Sequence, residues 1–214
     1  MLFYQKYKWL LPMLLFTGLL LIGRIIHTGY HTFLFIPWNL FLAIIPLYMS
    51  HRLCMAKNNK AGLVYFGLWL LFFPNALYII TDLFHLAERK SMPQWYDLLI
   101  LFSAALEGII IGFLSLADVE QFMAKYVNKK LIPLLLLGIF LLSGYGVYLG
   151  RYLRWNSWDI IADPFALLID ITHDIIHPFR NAECWLVTCI FGTWFFIMYR
   201  VFKLFRERGV SING

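Results

Sequence analysis

Six long apolar runs constrain this chain more than any other feature of its sequence. A transmembrane helix needs about 20 predominantly apolar residues, and a backbone inside lipid must satisfy its hydrogen bonds within the helix. We predict spans at 9–26, 35–51, 61–80, 97–116, 131–150 and 184–202. The chain 1–214 is therefore predicted to be a single polytopic all-α membrane domain with six transmembrane helices.

The charge content agrees with this prediction. Only 14% of the residues are charged and 61% are hydrophobic, whereas soluble domains carry about 25% charged residues. A soluble protein this apolar would have too little polar surface to stay dissolved. A soluble fold is therefore excluded, and the lipid bilayer is the first predicted partner.

Lysine and arginine are divided unequally between the two sets of connecting segments. The set that includes both termini holds 12 of the 18, and the other set holds 6. The positive-inside rule then predicts that both termini are cytoplasmic. The net charge of +6 is accordingly a topology signal, and the chain has no soluble basic domain for nucleic acid.

Polar residues of unusual type concentrate in the segments predicted to face outward. Asn39 lies in IPWNL, and the stretch FPNALYIITDLFHL contains Pro74, Asn75, Asp82 and His85. Pro74 lacks an N–H group, so we expect it to interrupt the third span, with Asn75 satisfying groups that the break frees. The fifth span leads into GRYLRWNSWD, which adds Arg151, Arg154, Asn156 and Asp159. Since the topology brings all of them to one face, we predict a site there.

The last extracytoplasmic loop is predicted to contain an amphipathic interfacial helix. Asp163 and Pro164 read as an N-cap and a first helical residue, and the apolar residues up to Phe179 recur on one face. His173 and His177, on the polar face, lie one turn apart, a spacing that can bind zinc. They are weak metal candidates, because the solvated polar face of an interfacial helix explains them better and HDIIH differs from the zincin pattern H-E-x-x-H.

Glu107 lies about ten residues into the fourth predicted span. An ionised carboxylate near the membrane centre is costly, so Glu107 should be protonated, paired or facing a wet cavity. A functional role and a structural hydrogen bond both remain open. Gly108 and Gly112 beside it form a small-xxx-small surface for close helix packing.

Several quoted segments resemble one family of bacterial membrane proteins, catalogued as domain of unknown function 1361. The segments are WNLFLAIIPL, FPNALYIITDLFHL, WYDLLI, GFLSL and GRYLRWNSWDI. The resemblance implies a multi-pass protein of the bacterial cytoplasmic membrane, and it supplies neither an activity nor a cofactor. Its motif positions include Asp97 as well as the predicted outer-face residues.

Three functions are compatible with this sequence. In the first, Asn39, Asn75, Arg151, Arg154 and Asn156 bind an anionic lipid, or a lipid-linked or cell-envelope substrate. Three further residues of that site would act as acid–base groups or metal ligands, namely Asp82, His85 and Asp159. The second function is a non-catalytic partner of another membrane protein, with these charges as a salt-bridge network. The third is a proton-coupled transporter that uses Glu107. Whether the protein is an enzyme stays open.

Overall fold

A computed structural model describes residues 2–87 and 92–212 of the chain, with nine α-helices and no strand among them. The helices are α1 (Phe3–Tyr7), α2 (Leu11–Thr28), α3 (Phe35–Cys54), α4 (Asn59–Tyr78), α5 (Gln94–Met123), α6 (Ile132–Tyr152), α7 (Asp159–Ala162), α8 (Pro164–Ile176) and α9 (Ala182–Ile212). Two 3₁₀ segments, Lys8–Leu10 and Ile79–Ala87, continue α1 and α4. The predicted all-helical class is confirmed for the part of the chain that the structure describes.

Five helical segments are long and apolar enough to cross a membrane. They are Phe3–Thr28, Asn59–Leu86, Gln94–Met123, Ile132–Tyr152 and Ala182–Arg208. Four of them contain a predicted span completely, and Ile132–Tyr152 covers the predicted span 131–150 except for its first residue. The protein is therefore a membrane protein with several candidate spans.

The remaining predicted span, 35–51, coincides with α3. This helix has 20 residues, which is enough to cross a bilayer at about 1.5 Å per residue. Its mean hydropathy is lowered by Asn39 near its start, by Pro46 within it, and by His51 and Arg52 at its end. The number of six spans thus remains a prediction, which depends on α3.

The structure divides into two compact units, Met1–Val119 and Glu120–Gly214. In the first unit α3 packs along α4, and the apolar core contains residues from α1 to α5. Gly108 and Gly112 of α5 face α4, where a Cβ on Gly108 would lie 2.5 Å from the carbonyl oxygen of Ala76. The predicted small-residue packing surface is confirmed.

Three carboxylates of α5 each contact the N-terminal segment of the first unit. The contacts are Asp97 with Arg24, Glu107 with Thr17, and Asp118 with Lys6 and Tyr7. The acids are 10 and 11 residues apart, close to three turns of about 3.6 residues each, so they lie on one face of the helix. Because the partner numbers fall as the acid numbers rise, the N-terminal segment runs antiparallel to α5.

The contacts at the two ends of this row are ionic. Arg24 Nε lies 2.7 Å from Asp97 Oδ1, and both residues are almost fully buried, at 0% and 2% exposure. At the other end Lys6 Nζ lies 2.6 Å from Asp118 Oδ2, which also accepts a hydrogen bond of 2.5 Å from the Tyr7 hydroxyl. The row therefore fixes the register between the N-terminal segment and α5.

Pro74 does not interrupt α4, contrary to the prediction. The α-helix continues through Pro74 to Tyr78 and then tightens into the 3₁₀ helix Ile79–Ala87. The Asn75 side-chain amide donates a hydrogen bond of 3.1 Å to the Phe72 carbonyl. Asn75 thus bonds to the backbone one turn earlier, whereas the carbonyl that Pro74 leaves without its helical N–H donor is that of Leu70.

In the second unit α6 packs along α9 through glycines. A Cβ on Gly144 of α6 would lie 2.5 Å from the carbonyl oxygen of Thr188, and a Cβ on Gly192 of α9 would lie 2.9 Å from the backbone of Leu141. The predicted amphipathic helix is present as α8, and the Asp163 side chain caps it by accepting from Ala166 N at 3.2 Å. Its location at a membrane interface remains a prediction.

Gly144→Ala and Gly138→Ala form a matched pair of variants in α6. Alanine is favoured over glycine in a helix by roughly 1 kcal/mol, and a Cβ on Gly138 meets no atom within 4 Å. We expect Gly138→Ala to keep or raise thermal stability. We expect Gly144→Ala to lower it, by about 1–3 kcal/mol, because the new methyl group meets backbone. Thermal denaturation of both purified variants measures the difference, and equal stabilities would contradict the close α6–α9 contact.

Candidate functional site

Asp82 is the most buried of the predicted site residues. It lies in the 3₁₀ helix after α4 and is 2% exposed. The Asn39 side-chain amide, from the first turns of α3, donates to Asp82 Oδ2 at 2.8 Å. The structure therefore brings these two predicted residues into direct contact, as a carboxylate that is held by an amide donor.

His85 follows Asp82 by one turn of the same 3₁₀ helix. Side chains three residues apart in a 3₁₀ helix lie on the same side, and 3₁₀ runs longer than three or four residues are uncommon. This one has nine residues, Ile79–Ala87. The His85 ring packs against the Phe35 ring, with centroids 5.1 Å apart and planes tilted by 48°. The unusual helix thus presents a carboxylate and an imidazole in the same direction.

Arg24 extends this polar end of the first unit, and the sequence interpretation missed its role. Its guanidinium contacts Asp97, donates to Thr32 Oγ1 at 2.6 Å, and lies 4.2 Å from the Phe33 ring centroid. The Phe33 ring in turn contacts Phe35 at 5.8 Å. The contacts of Arg24 are thus structural. The spacing of the three acids of α5, about three turns apart, was the sequence signal that could have identified these contacts.

In the second unit, Arg154 has the most unusual backbone of the predicted residues. Its φ angle is +61°, which makes it the one non-glycine residue with a positive φ in the described part of the chain. It follows the end of α6, and the next residue, Trp155, donates its backbone N–H to the Leu149 carbonyl at 3.0 Å. The left-handed conformation costs a non-glycine residue roughly 1–2 kcal/mol. The Arg154 side chain is exposed and, among the described residues, forms no hydrogen bond or ion pair.

Two contacts hold the loop in which Arg154 lies. Asp159 Oδ2 accepts hydrogen bonds from the Asn156 backbone N–H at 2.7 Å and from its side-chain amide at 3.3 Å. Trp155 Nε1 donates to Asp170 Oδ2 of α8 at 2.8 Å. Asn156 and Asp159 are therefore brought together, as predicted for one site, but they bind each other.

A second polar network lies around Asp174 of α8, which is 4% exposed. Its carboxylate accepts hydrogen bonds from the Tyr145 hydroxyl at 3.0 Å and from the Asn181 amide at 2.8 Å, and the Cys184 thiol lies 3.7 Å away. The expectation of a solvated polar face on α8 is wrong for Asp174. These partners lie outside α8, on α6 and after the end of α8, so the periodicity of α8 alone did not indicate them.

The two histidines of α8 lie side by side on the surface. Their ring centroids are 5.1 Å apart, and His173 Nδ1 lies 3.0 Å from the Asn181 amide. Within residues 2–87 and 92–212, no group of three or more His, Cys, Asp or Glu side chains is arranged to hold a metal ion. His173 and His177 remain weak candidates on sequence grounds alone.

The predicted site residues fall into both units. Asn39, Asn75, Asp82 and His85 belong to the first unit, and Arg151, Arg154, Asn156 and Asp159 belong to the second. Within the units the structure pairs Asn39 with Asp82 and Asn156 with Asp159. That all eight residues share one face of the membrane remains a prediction from topology.

Replacing Arg154 by glycine should stabilise the protein. Glycine adopts a positive φ without strain, so we expect Arg154→Gly to raise the free energy of unfolding by about 1 kcal/mol relative to Arg154→Ala. Thermal denaturation of the two purified variants measures this difference. A lower stability of Arg154→Gly would contradict the left-handed conformation.

The family of the chain follows from a comparison with known protein families. Residues 38–198 match the family model described as Protein of unknown function (DUF1361), which is well over half of the 214 residues. The match includes every predicted site residue and confirms the resemblance, whereas Arg24 lies outside it. No curated protein and no solved structure matches the chain. This membrane protein therefore belongs to the DUF1361 family of proteins of unknown function.

Proposed function

We propose that the protein binds, and then processes, a lipid-linked or cell-envelope substrate that carries a phosphate or carboxylate group. The site faces the extracytoplasmic side of a bacterial cytoplasmic membrane. The chain crosses that membrane six times, with both termini in the cytoplasm, and α8 lies in the outer interface. Arg154 binds the anionic group of the substrate.

The observation that carries this proposal is the strained and exposed Arg154. A chain that only had to end α6 at this point would do so with glycine at no conformational cost. Here the position holds an arginine, whose planar guanidinium suits the two oxygens of a phosphate or carboxylate. Backbone strain of this kind concentrates at functional sites, and Arg154 forms no side-chain hydrogen bond or ion pair among the described residues that would explain it.

The contacts around Arg154 support a pre-organised site. The Trp155–Asp170 and Asn156–Asp159 hydrogen bonds hold the loop on both sides of the α6 end. A group that is already fixed loses less entropy when it binds a ligand. We therefore assign to Asp159 and Asn156 the role of positioning the Arg154 loop. Arg151, three residues before Arg154, is assigned as a second cation for the same anion.

The acid–base roles fall to Asp82 and His85 in this proposal. A carboxylate and an imidazole are the commonest general acids and bases, and Asp82 and His85 are three residues apart in one 3₁₀ helix, a spacing that puts side chains on the same side. The hydrogen bond from Asn39 holds the Asp82 carboxylate in place. The Asn75 amide donates to the Phe72 carbonyl, so in this proposal Asn75 shapes the helix before Asp82 more than it contacts the substrate.

The proposed membrane arrangement also has support from the exposed surface. Five apolar residues of α8 are exposed, which suits a helix that lies with its apolar face in lipid; they are Phe165, Leu168, Ile169, Ile175 and Ile176. The polar residues of α3 lie near its two ends, where Arg52 can extend its head group toward the interface.

Native mass spectrometry of the full chain in mild detergent tests the anion site. The probes are a polyprenyl phosphate and the matching polyprenyl alcohol. We expect Arg154→Gly to bind the phosphate about tenfold more weakly than the wild-type chain does, the effect of one lost charge-assisted hydrogen bond, and to leave any retention of the alcohol unchanged. Arg154→Lys should bind with intermediate affinity.

Arg180→Gly is the matched control, because Arg180 is another exposed arginine of the second unit. We expect this variant protein to bind the probe as the wild-type chain does. Asp82→Asn keeps an oxygen for the Asn39 amide and should also bind the phosphate normally, while it fails to restore function in cells that lack the gene. Equal binding by wild type, Arg154→Gly and Arg180→Gly would contradict the proposed anion site.

A further inference from the structure

Glu107 is a buried carboxyl group with one unsatisfied oxygen. The residue is 2% exposed, and its Oε1 accepts a hydrogen bond of 2.6 Å from the Thr17 hydroxyl of α2. Its Oε2 is buried and has no hydrogen-bond partner in the part of the chain that the structure describes. A buried polar atom without a partner costs about 1–3 kcal/mol, so a group that bonded to it would be stabilised there.

Glu107 also lines a pocket on the surface of the first unit. The pocket has a volume of about 280 Å³ and opens on one side, and it is lined by Pro12, Met13, Phe16, Ser103, Leu106 and Glu107. Four of these side chains are apolar, and Ser103 precedes Glu107 by one turn of α5. An apolar cavity of roughly 150 Å³ already holds a benzene ring, so this pocket accepts a larger apolar fragment.

The position of the pocket limits what can enter it. Glu107 is near the middle of the 30-residue helix α5, which places it roughly 20 Å from either helix end at about 1.5 Å per residue. Molecules at that depth of a bilayer are lipid-soluble. A hydroxyl group is the head group that fits here, because it can donate to an ionised carboxyl oxygen and accept from a protonated one.

We propose that this pocket binds a lipid-soluble alcohol, with its apolar part against Phe16 and Leu106 and its hydroxyl group on the Glu107 carboxyl. Oε2 is covered in the unliganded structure. Binding therefore includes a small movement of the Glu107 side chain that brings Oε2 to the pocket, while the Thr17 hydroxyl keeps its hydrogen bond to Oε1. The site is independent of the anion site proposed for Arg154, which lies in the other unit.

Photolabelling of the full chain in lipid nanodiscs tests this proposal. The probe is a diazirine derivative of decanol, and the matched probe is the same derivative of decane. We expect the alcohol to label peptides that contain residues 12–16 and 103–107, and unlabelled decanol, but not decane, to compete. If the decane probe labels these peptides equally, or if decane competes equally, the pocket is only a groove for acyl chains and the proposal is wrong.

Variants separate the hydroxyl contact from the shape of the pocket. Glu107→Leu should reduce labelling by the alcohol about tenfold, the equivalent of one hydrogen bond to a buried group, and Glu107→Gln should retain most of it. Leu106→Trp should block the pocket, whereas the control Leu98→Trp, an equally exposed leucine of α5, should not. Labelling that is unchanged by both Glu107→Leu and Leu106→Trp would overturn the assignment. If a variant fails to fold, the competition between decanol and decane on the wild-type chain still tests whether the pocket prefers an alcohol.

Discussion

The contact between Arg24 and Asp97 is the interaction on which the first unit depends most. Two opposite charges are fully removed from solvent, and each satisfies the other through two hydrogen bonds. Breaking such a pair leaves an uncompensated buried charge, which typically costs 3–5 kcal/mol, about half of the stability of a small domain. Together with the Thr17–Glu107 and Lys6–Asp118 contacts, this pair fixes α1 and α2 against α5. The N-terminal segment, outside the matched family region, is thereby an integral part of the fold.

A chain of side-chain contacts connects the Arg24–Asp97 pair to the candidate site. Arg24 packs on Phe33, Phe33 on Phe35, and Phe35 on His85, so a shift of α2 would move the imidazole. The second unit uses a different device, because there a strained arginine and two side-chain hydrogen bonds define the loop after α6. Both arrangements use buried or local contacts to hold polar groups at the ends of apolar helices.

The sequence predicted the helices well because their length and apolarity are local properties. It predicted the Asp163 cap, the Gly108 contact and the existence of α8 for the same reason. It failed at Pro74, because a helix in a membrane protein can continue through a proline, and at Asp174, because its partner Tyr145 lies 29 residues away on another helix. It also treated Arg24 and Lys6 only as topology signals. Their partners Asp97 and Asp118 become visible only when α5 is paired with the N-terminal segment.

A double-mutant cycle on Arg24 and Asp97 tests this account most directly. Arg24→Met and Asp97→Leu should each lower the free energy of unfolding by about 3–5 kcal/mol, because each leaves one buried charge without its partner. The double variant should recover most of that loss, since two apolar side chains carry no charge to compensate. Thermal denaturation of the four purified proteins gives the coupling energy. Single variants as stable as the wild type, or a double variant that loses the sum of both, would contradict the proposed role of this pair.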